Sequence, residues 1–148
     1  KLIGNVNNQI LTDHDTAKAN FTIENIGIVP HYNAILSMKS ASLLVLIQNN
    51  VPLNSKGRIP MKFFEYLAAN VPVLIIGDLN SDLITLAQSF TATYGIAFHD
   101  KKGIEQALED AFTLHKNQVV IDRTKELASF TREAAAKKVM LKIQEYMS

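Results

Sequence analysis

Lys62 and Glu65 stand three residues apart in SKGRIPMKFFEYLAANVPVLIIG, residues 55–77. On a helix that spacing puts an ammonium and a carboxylate on one face. One reading is an exposed ion pair contributing about 0.2–0.5 kcal/mol. The other is a ligand site. Lys62 falls in the first helical turn, where unpaired N–H groups and the helix dipole already favour an anion, and its charge would add to a phosphate site. Glu65, one turn deeper, has the geometry to accept hydrogen bonds from two vicinal hydroxyls, as a carboxylate does on a ribose. Gly57 lets the loop backbone come close to a ligand. Arg58 can reach a second phosphate with a fork of donors. Lysine, arginine, glycine and glutamate around one helix N-terminus suit a nucleoside diphosphate.

The elements that must position these groups are legible on either side. Pro60 suits the first turn of a helix, because its missing N–H would be unpaired there and its φ is already helical. Over residues 60–69, Phe63, Phe64, Leu67 and Ala68 make an apolar face, with Lys62, Glu65 and Ala69 on another side. The runs LLVLI (residues 43–47) and VPVLIIG (71–77) lack polar faces and read as strands of a parallel sheet buried on both sides. Together they form a βαβ unit whose long loop, residues 48–59, leaves the carboxyl end of its first strand. In open α/β sheets that edge is where ligands bind.

Along the rest of the chain, strand and helix patterns alternate. Residues 1–4 read as the tail of a first strand, 5–9 as a polar loop, and 13–20 as a weak helix or irregular connection. Residues 21–29, FTIENIGIV, read as the second strand, and Asn33 is placed to cap a helix running to about Ser40. Asn80 or Ser81 caps a helix to Phe90, and residues 95–98 form a short strand. Asp100 caps a helix to Lys116 with Ile104, Ala107, Leu108, Ala111 and Phe112 on one stripe. A turn over 117–122 leads to 124–129. A last helix, 131–147, spaces Ala135, Val139, Ile143 and Tyr146 for burial. The expected fold is α/β: one Rossmann-like, doubly wound parallel sheet of about five or six strands with helices on both faces, in a single domain over residues 1–148.

Composition narrows the function. The 148 residues carry 15 Lys and Arg against 14 Asp and Glu, a balance that advertises neither nucleic acid nor an anionic membrane. There is no cysteine, which excludes disulfides and thiolate metal sites. His14, His31, His99 and His115 are scattered without ligand spacing, so no metal site is expected. His31 alone follows a strand at the binding edge, where it can equally pack or hydrogen-bond locally. Gly77–Ser81 could hold an anion at the next helix N-terminus, although Asp78 and Asp82 oppose a phosphate there. No G-x-S-x-G, G-x-G-x-x-G or Walker sequence occurs, which disfavours a hydrolase, an NAD or a P-loop role. The start, KLIG, reads as the middle of a strand, and the chain as a fragment of a longer protein.

Residues 57–77 resemble the donor-binding segment of GT-B glycosyltransferases, in the large retaining family that includes many bacterial cell-surface polysaccharide enzymes. The matching positions are Ile59, Pro60, Met61, Lys62, Phe63, Phe64, Glu65, Tyr66, Leu67 and Ala68, then Pro72, Val73 and Gly77. The upstream run IGIVPHYNAILSMKSASLLVLI and the order of downstream elements are similar too, so the resemblance spans nearly the whole chain. It covers the C-terminal, donor-nucleotide-binding half of that architecture.

The resemblance implies a cytoplasmic glycosyltransferase, retaining and metal-independent, with no cofactor beyond its nucleoside diphosphate sugar. Glu65 matches the residue that binds the ribose hydroxyls and Lys62 one near the diphosphate. The backbone around Val29 and His31 matches the nucleobase position. Catalytic groups and the acceptor, a glycan or lipid-linked sugar, would belong to an N-terminal domain of the same chain, which would also supply any attachment to the inner face of the membrane. The fragment alone is then expected to bind nucleotide weakly without turnover. One departure matters: the glutamate that contacts the donor sugar in many relatives is replaced by Gly57. Basic residues expected after the first strand are replaced by Asn5, Asn7 and Asn8, which leaves diphosphate binding to Lys62, Arg58 and helix N-termini. Gly57 keeps open a degenerate or regulatory α/β module. A nucleotide-sugar epimerase of the same shape is the other alternative.

Overall fold

The structure, a computed structural model, describes residues 1–7, 9, 12, 21–49 and 56–147. The expected connection over residues 13–20 lies outside them, as do residues 50–55, half of the loop after the first βαβ strand. The fold is α/β and Rossmann-like, with every described strand paired in parallel. The chain divides into two compact units, Lys1–Met38 and Lys39–Ser148.

In the first unit β1 (Leu2–Ile3) pairs with β2 (Asn25–Gly27), and α1 (His31–Lys39) follows. The nine-residue strand expected over 21–29 is three residues long. Its apolar residues find no second covered face among the described residues: Phe21 and Ile28 are 66% and 84% exposed. Helix α1 starts three residues earlier than an Asn33 cap would dictate. The Pro30 carbonyl accepts from the N–H groups of Asn33 (2.9 Å) and Ala34 (3.2 Å), so the backbone beside the proline opens the helix.

The second unit is built on a three-stranded sheet in the order β3 (Leu44–Ile47), β4 (Val73–Gly77), β5 (Thr93–Ala97). The five described strands thus form a pair and a triplet, where the sequence suggested one continuous sheet. Helices α2 (Met61–Ala68) and α3 (Asp82–Ala87) are the two crossovers, and α4 (Lys101–Lys116) follows β5. Successive parallel strands laid down in one direction by right-handed crossovers put both connecting helices on the same face. The core agrees: Phe63 and Leu67 of α2 and Leu83, Ile84 and Ala87 of α3 pack with Leu46, Val73 and Ile75. On β5, Gly95 faces Ile84, so closely that a Cβ there would overlap the isoleucine by its Cγ2 at 2.6 Å. Ile96, one residue on, faces Gly103 of α4, so helices lie on both sides of the sheet.

Caps agree with the sequence. Ser81 Oγ accepts from Ile84 N–H (3.3 Å) and Asp100 Oδ1 from Gly103 N–H (2.9 Å). The α4 stripe is narrower than its spacing suggests. Ala107 and Ala111 are buried, but Leu108 and Phe112, each a further 100° round, are 47% and 65% exposed.

After α4 the chain returns across the foot of the sheet. Ile121 and Arg123 are buried, followed by α5 (Thr124–Leu127), a 3₁₀ turn (Ala128–Phe130) and α6 (Arg132–Met147). Phe130 completes an aromatic group with Phe64, Phe90 and, through Phe90, Phe63, at ring separations of 5.5–5.8 Å. Helix α6 buries no residue, contrary to the spacing of Ala135, Val139, Ile143 and Tyr146. A stripe is buried only when another apolar surface meets it, and the α2–α3 face of the sheet is already filled.

Glu126 fixes this return segment. Its carboxylate accepts from Thr91 Oγ1 (2.6 Å) and Thr91 N–H (3.0 Å). Those two bonds, side-chain first, hold its pKa below the usual 4.5. A depressed folded-state pKa means stabilisation that is complete above the unfolded value and is lost as pH falls through the folded one. Between pH 5 and 3 the wild type should therefore lose stability more steeply than Glu126→Gln, as measured by urea midpoints at each pH. Equal slopes would contradict the assignment.

Candidate functional site

Helix α2 opens on Pro60, whose φ and ψ of −65° and 139° are those of an N-cap. The Pro60 carbonyl accepts from Phe63 N–H at 3.0 Å, while no side chain caps the helix. The N–H groups of Met61 and Lys62 therefore have no partner within the helix. Burial of Phe63 and Leu67 fixes the rotation of α2, which leaves Lys62 and Glu65 on its exposed side. Asn70, at φ 57°, ends the helix in the left-handed conformation that asparagine tolerates.

A cleft of about 340 Å³ lies where the end of β3 meets the start of α2. Its lining is Leu46, Ile47, Gln48 and Asn49 on one side and Arg58, Ile59, Pro60 and Lys62 on the other. Arg58 and Lys62 are thus brought together, as the sequence suggested. Glu65 lies one turn further along α2, outside the lining. Among the described residues Lys62 and Glu65 form no ion pair. The surface-pair reading of their spacing is not realised, and both side chains are exposed.

Gly57, at φ 71°, occupies a conformation that favours glycine. Its N–H donates to the Asp82 carboxylate, tying the loop to the start of α3. With Ser81 committed to its capping bond, that second helix N-terminus is occupied from within. An anion site there, already opposed by Asp78 and Asp82, gains nothing from the geometry. Val29 and His31 belong to the first unit, after β2 and at the start of α1. Val29 is half-buried and His31 exposed. Among the described residues no group of three His, Asp or Glu side chains is arranged to hold a metal ion. No helix among them is long and apolar enough to cross a membrane.

The sequence reading passed over Gln48 and Asn49, which sit in the cleft because they directly follow β3. Strand position alone would have found them. It also passed over Arg123, the largest fully buried side chain of the described residues. Its guanidinium donates to four main-chain carbonyls: Thr91 (2.9 Å), Val71 (3.0 Å), Leu67 (3.2 Å) and Ala92 (3.2 Å). Its own N–H donates to Asn70 Oδ1 at 3.2 Å. Burial lowers its pKa, and the Glu126 carboxylate works in the opposite direction. Arg123 holds the C-terminal end of α2, and so the helix that carries Lys62, against the turn before β5.

Comparison of the chain with family models, curated proteins and solved structures returns no match. The chemistry of the cleft is therefore read from its own residues. Its described lining offers two cations, two amide side chains and the apolar Leu46, Ile47, Ile59 and Pro60, at a helix start whose first N–H groups have no partner within the helix. Among the described residues no carboxylate lines the cleft. Its volume falls within the roughly 300–1,000 Å³ of small-molecule sites, and its polar groups suit an acceptor-rich anion.

Proposed function

We propose that the cleft binds the diphosphate of a nucleoside diphosphate sugar, and that the chain is the donor-binding part of a glycosyltransferase. The observation that carries this reading is the meeting of Arg58 and Lys62 at the uncapped N-terminus of α2, beyond the carboxyl end of a parallel strand. The similarity of residues 57–77 to retaining GT-B enzymes supplies the reaction class. On this reading Lys62 and Arg58 neutralise the diphosphate, and the free N–H groups of α2 add donors without a further charge. Glu65 accepts from the ribose hydroxyls; among the described residues its carboxylate has no other donor. By the same resemblance the sugar passes with retention to a glycan or lipid-linked acceptor held by an N-terminal half. Binding, orientation and charge neutralisation belong to the residues described here.

Calorimetric titration of UDP, GDP, ADP and CMP into the chain tests the reading. One diphosphate should bind, and Lys62→Ala should weaken it by about 10- to 100-fold, the usual consequence of losing a charged hydrogen-bond partner. Glu65→Ala should weaken the nucleotide by a similar factor while leaving inorganic pyrophosphate, which has no ribose, unchanged. Absence of heat and of any thermal shift with all four nucleotides at millimolar concentration would overturn the reading.

A further inference from the structure

Gln48 directly follows β3, lines the cleft, and is held there by two contacts that do not depend on a ligand. Its Oε1 accepts from the N–H of Asp78, 30 residues away, at 3.1 Å. Its backbone N–H donates to the Ile76 carbonyl at 2.9 Å. The amide lies directly against Gly77. A Cβ at that position would overlap the Gln48 amide oxygen and stand 2.9 Å from Gln48 Cβ, so only glycine leaves room for this rotamer. The Asp78 side chain turns away to accept from Asn80 N–H at 3.0 Å, leaving the main-chain donor for Gln48.

A primary amide has one acceptor end and one donor end. With the oxygen committed to a main-chain N–H, the NH₂ end is the polar group that remains, and it donates to nothing among the described residues. It adds a neutral donor beside two cations. From this we infer that Gln48 is a ligand-positioning residue, whose amide NH₂ donates to a phosphate oxygen or other acceptor atom of the bound anion. Gly77 and Asp78 together set its orientation. The inference rests on the diphosphate reading of the cleft and extends it to a residue that carries no charge.

Calorimetry with inorganic pyrophosphate is the test, on wild type, Gln48→Ala, Gln48→Glu and Gly77→Ala. Gln48→Glu can still accept from Asp78 N–H, so its melting temperature should match wild type, but it offers no NH₂ donor and brings a like charge to the anion. Pyrophosphate affinity should fall about 5- to 20-fold in Gln48→Ala, in line with one lost hydrogen bond, and further in Gln48→Glu. Gly77→Ala, by displacing the amide, should resemble Gln48→Ala. Pyrophosphate binding within twofold of wild type in a folded Gln48→Glu would overturn the role of Gln48 and leave the anion cleft standing. A wild type that does not bind pyrophosphate would overturn the cleft reading and this inference with it.

Discussion

Replacing Arg123 with methionine should lower the unfolding free energy by about 3–5 kcal/mol, the cost of removing a buried charge from the carbonyls it serves. The guanidinium is fully buried and serves four carbonyls from two separate stretches, Leu67 in the last turn of α2 with Val71 just after it, and Thr91 and Ala92 before β5. Methionine fills much of the volume but offers no donor, so four carbonyls lose a bond at once, although Leu67, Thr91 and Ala92 each keep a second donor in Asn70 N–H, Thr93 Oγ1 and Val73 N–H. Their arrangement also carries some strain. Ala92 sits at φ 53°, a conformation L residues rarely take, and its carbonyl accepts from both Arg123 and Val73 N–H. The positive charge is well placed, since carbonyls at a helix C-terminus carry the negative end of the dipole. Arg123→Lys should recover little, because a compact ammonium cannot span acceptors that a planar fork reaches. Urea unfolding followed by circular dichroism is the measurement; a loss below about 1 kcal/mol would mean that water replaces the guanidinium without difficulty.

Phe63→Ala should cost a similar amount, about 3–5 kcal/mol, by a different mechanism. The ring is wholly buried among the α2–α3 core and lies 5.8 Å from Phe90 in an edge-on arrangement. Truncation removes its burial from water and leaves a cavity between two helices and a sheet that are held by their own connections. Phe63→Leu, which keeps most of the volume, should cost less than half as much. The two predictions separate at the site. Phe63 directly follows Lys62, so its loss frees the rotation of α2 and should weaken anion binding even where the protein remains folded. Thermal unfolding and pyrophosphate titration of the same sample would show both effects, and an alanine variant with unchanged melting would contradict the packing described.

Where periodicity and end signals agreed, the sequence was sufficient to place an element. The apolar runs at 43–47 and 71–77 became β3 and β4 because no polar residue interrupts them, but only the central strand β4 is covered on both faces; β3, at the edge of the triplet, leaves Val45 and Ile47 exposed, contrary to the two-sided burial expected of it. Ser81 and Asp100 cap the helices assigned to them, since a short side chain with an acceptor at a helix start has few alternatives. That Arg58 and Lys62 line the same cleft follows from their nearness along the chain at the start of α2. What depended on distant partners was not. Arg123 lies in a polar turn, VVIDRTKEL, where nothing signals burial; its role exists only because carbonyls more than 30 residues away converge on it. Gln48 reads as the first residue of a loop until Gly77 and Asp78 are brought beside it. Helix α6 carries a plausible stripe that stays exposed, because periodicity records which face could be buried and not whether a surface meets it.

The most direct test of nucleotide binding in the cleft is a ¹⁵N–¹H correlation titration of the chain with the preferred nucleoside diphosphate. Progressive shifts should concentrate on residues 46–49 and 58–66, with the side-chain NH₂ of Gln48 among the largest. Saturating nucleotide that leaves those signals unmoved, or that moves only signals elsewhere, would contradict the assignment of this cleft as the donor site.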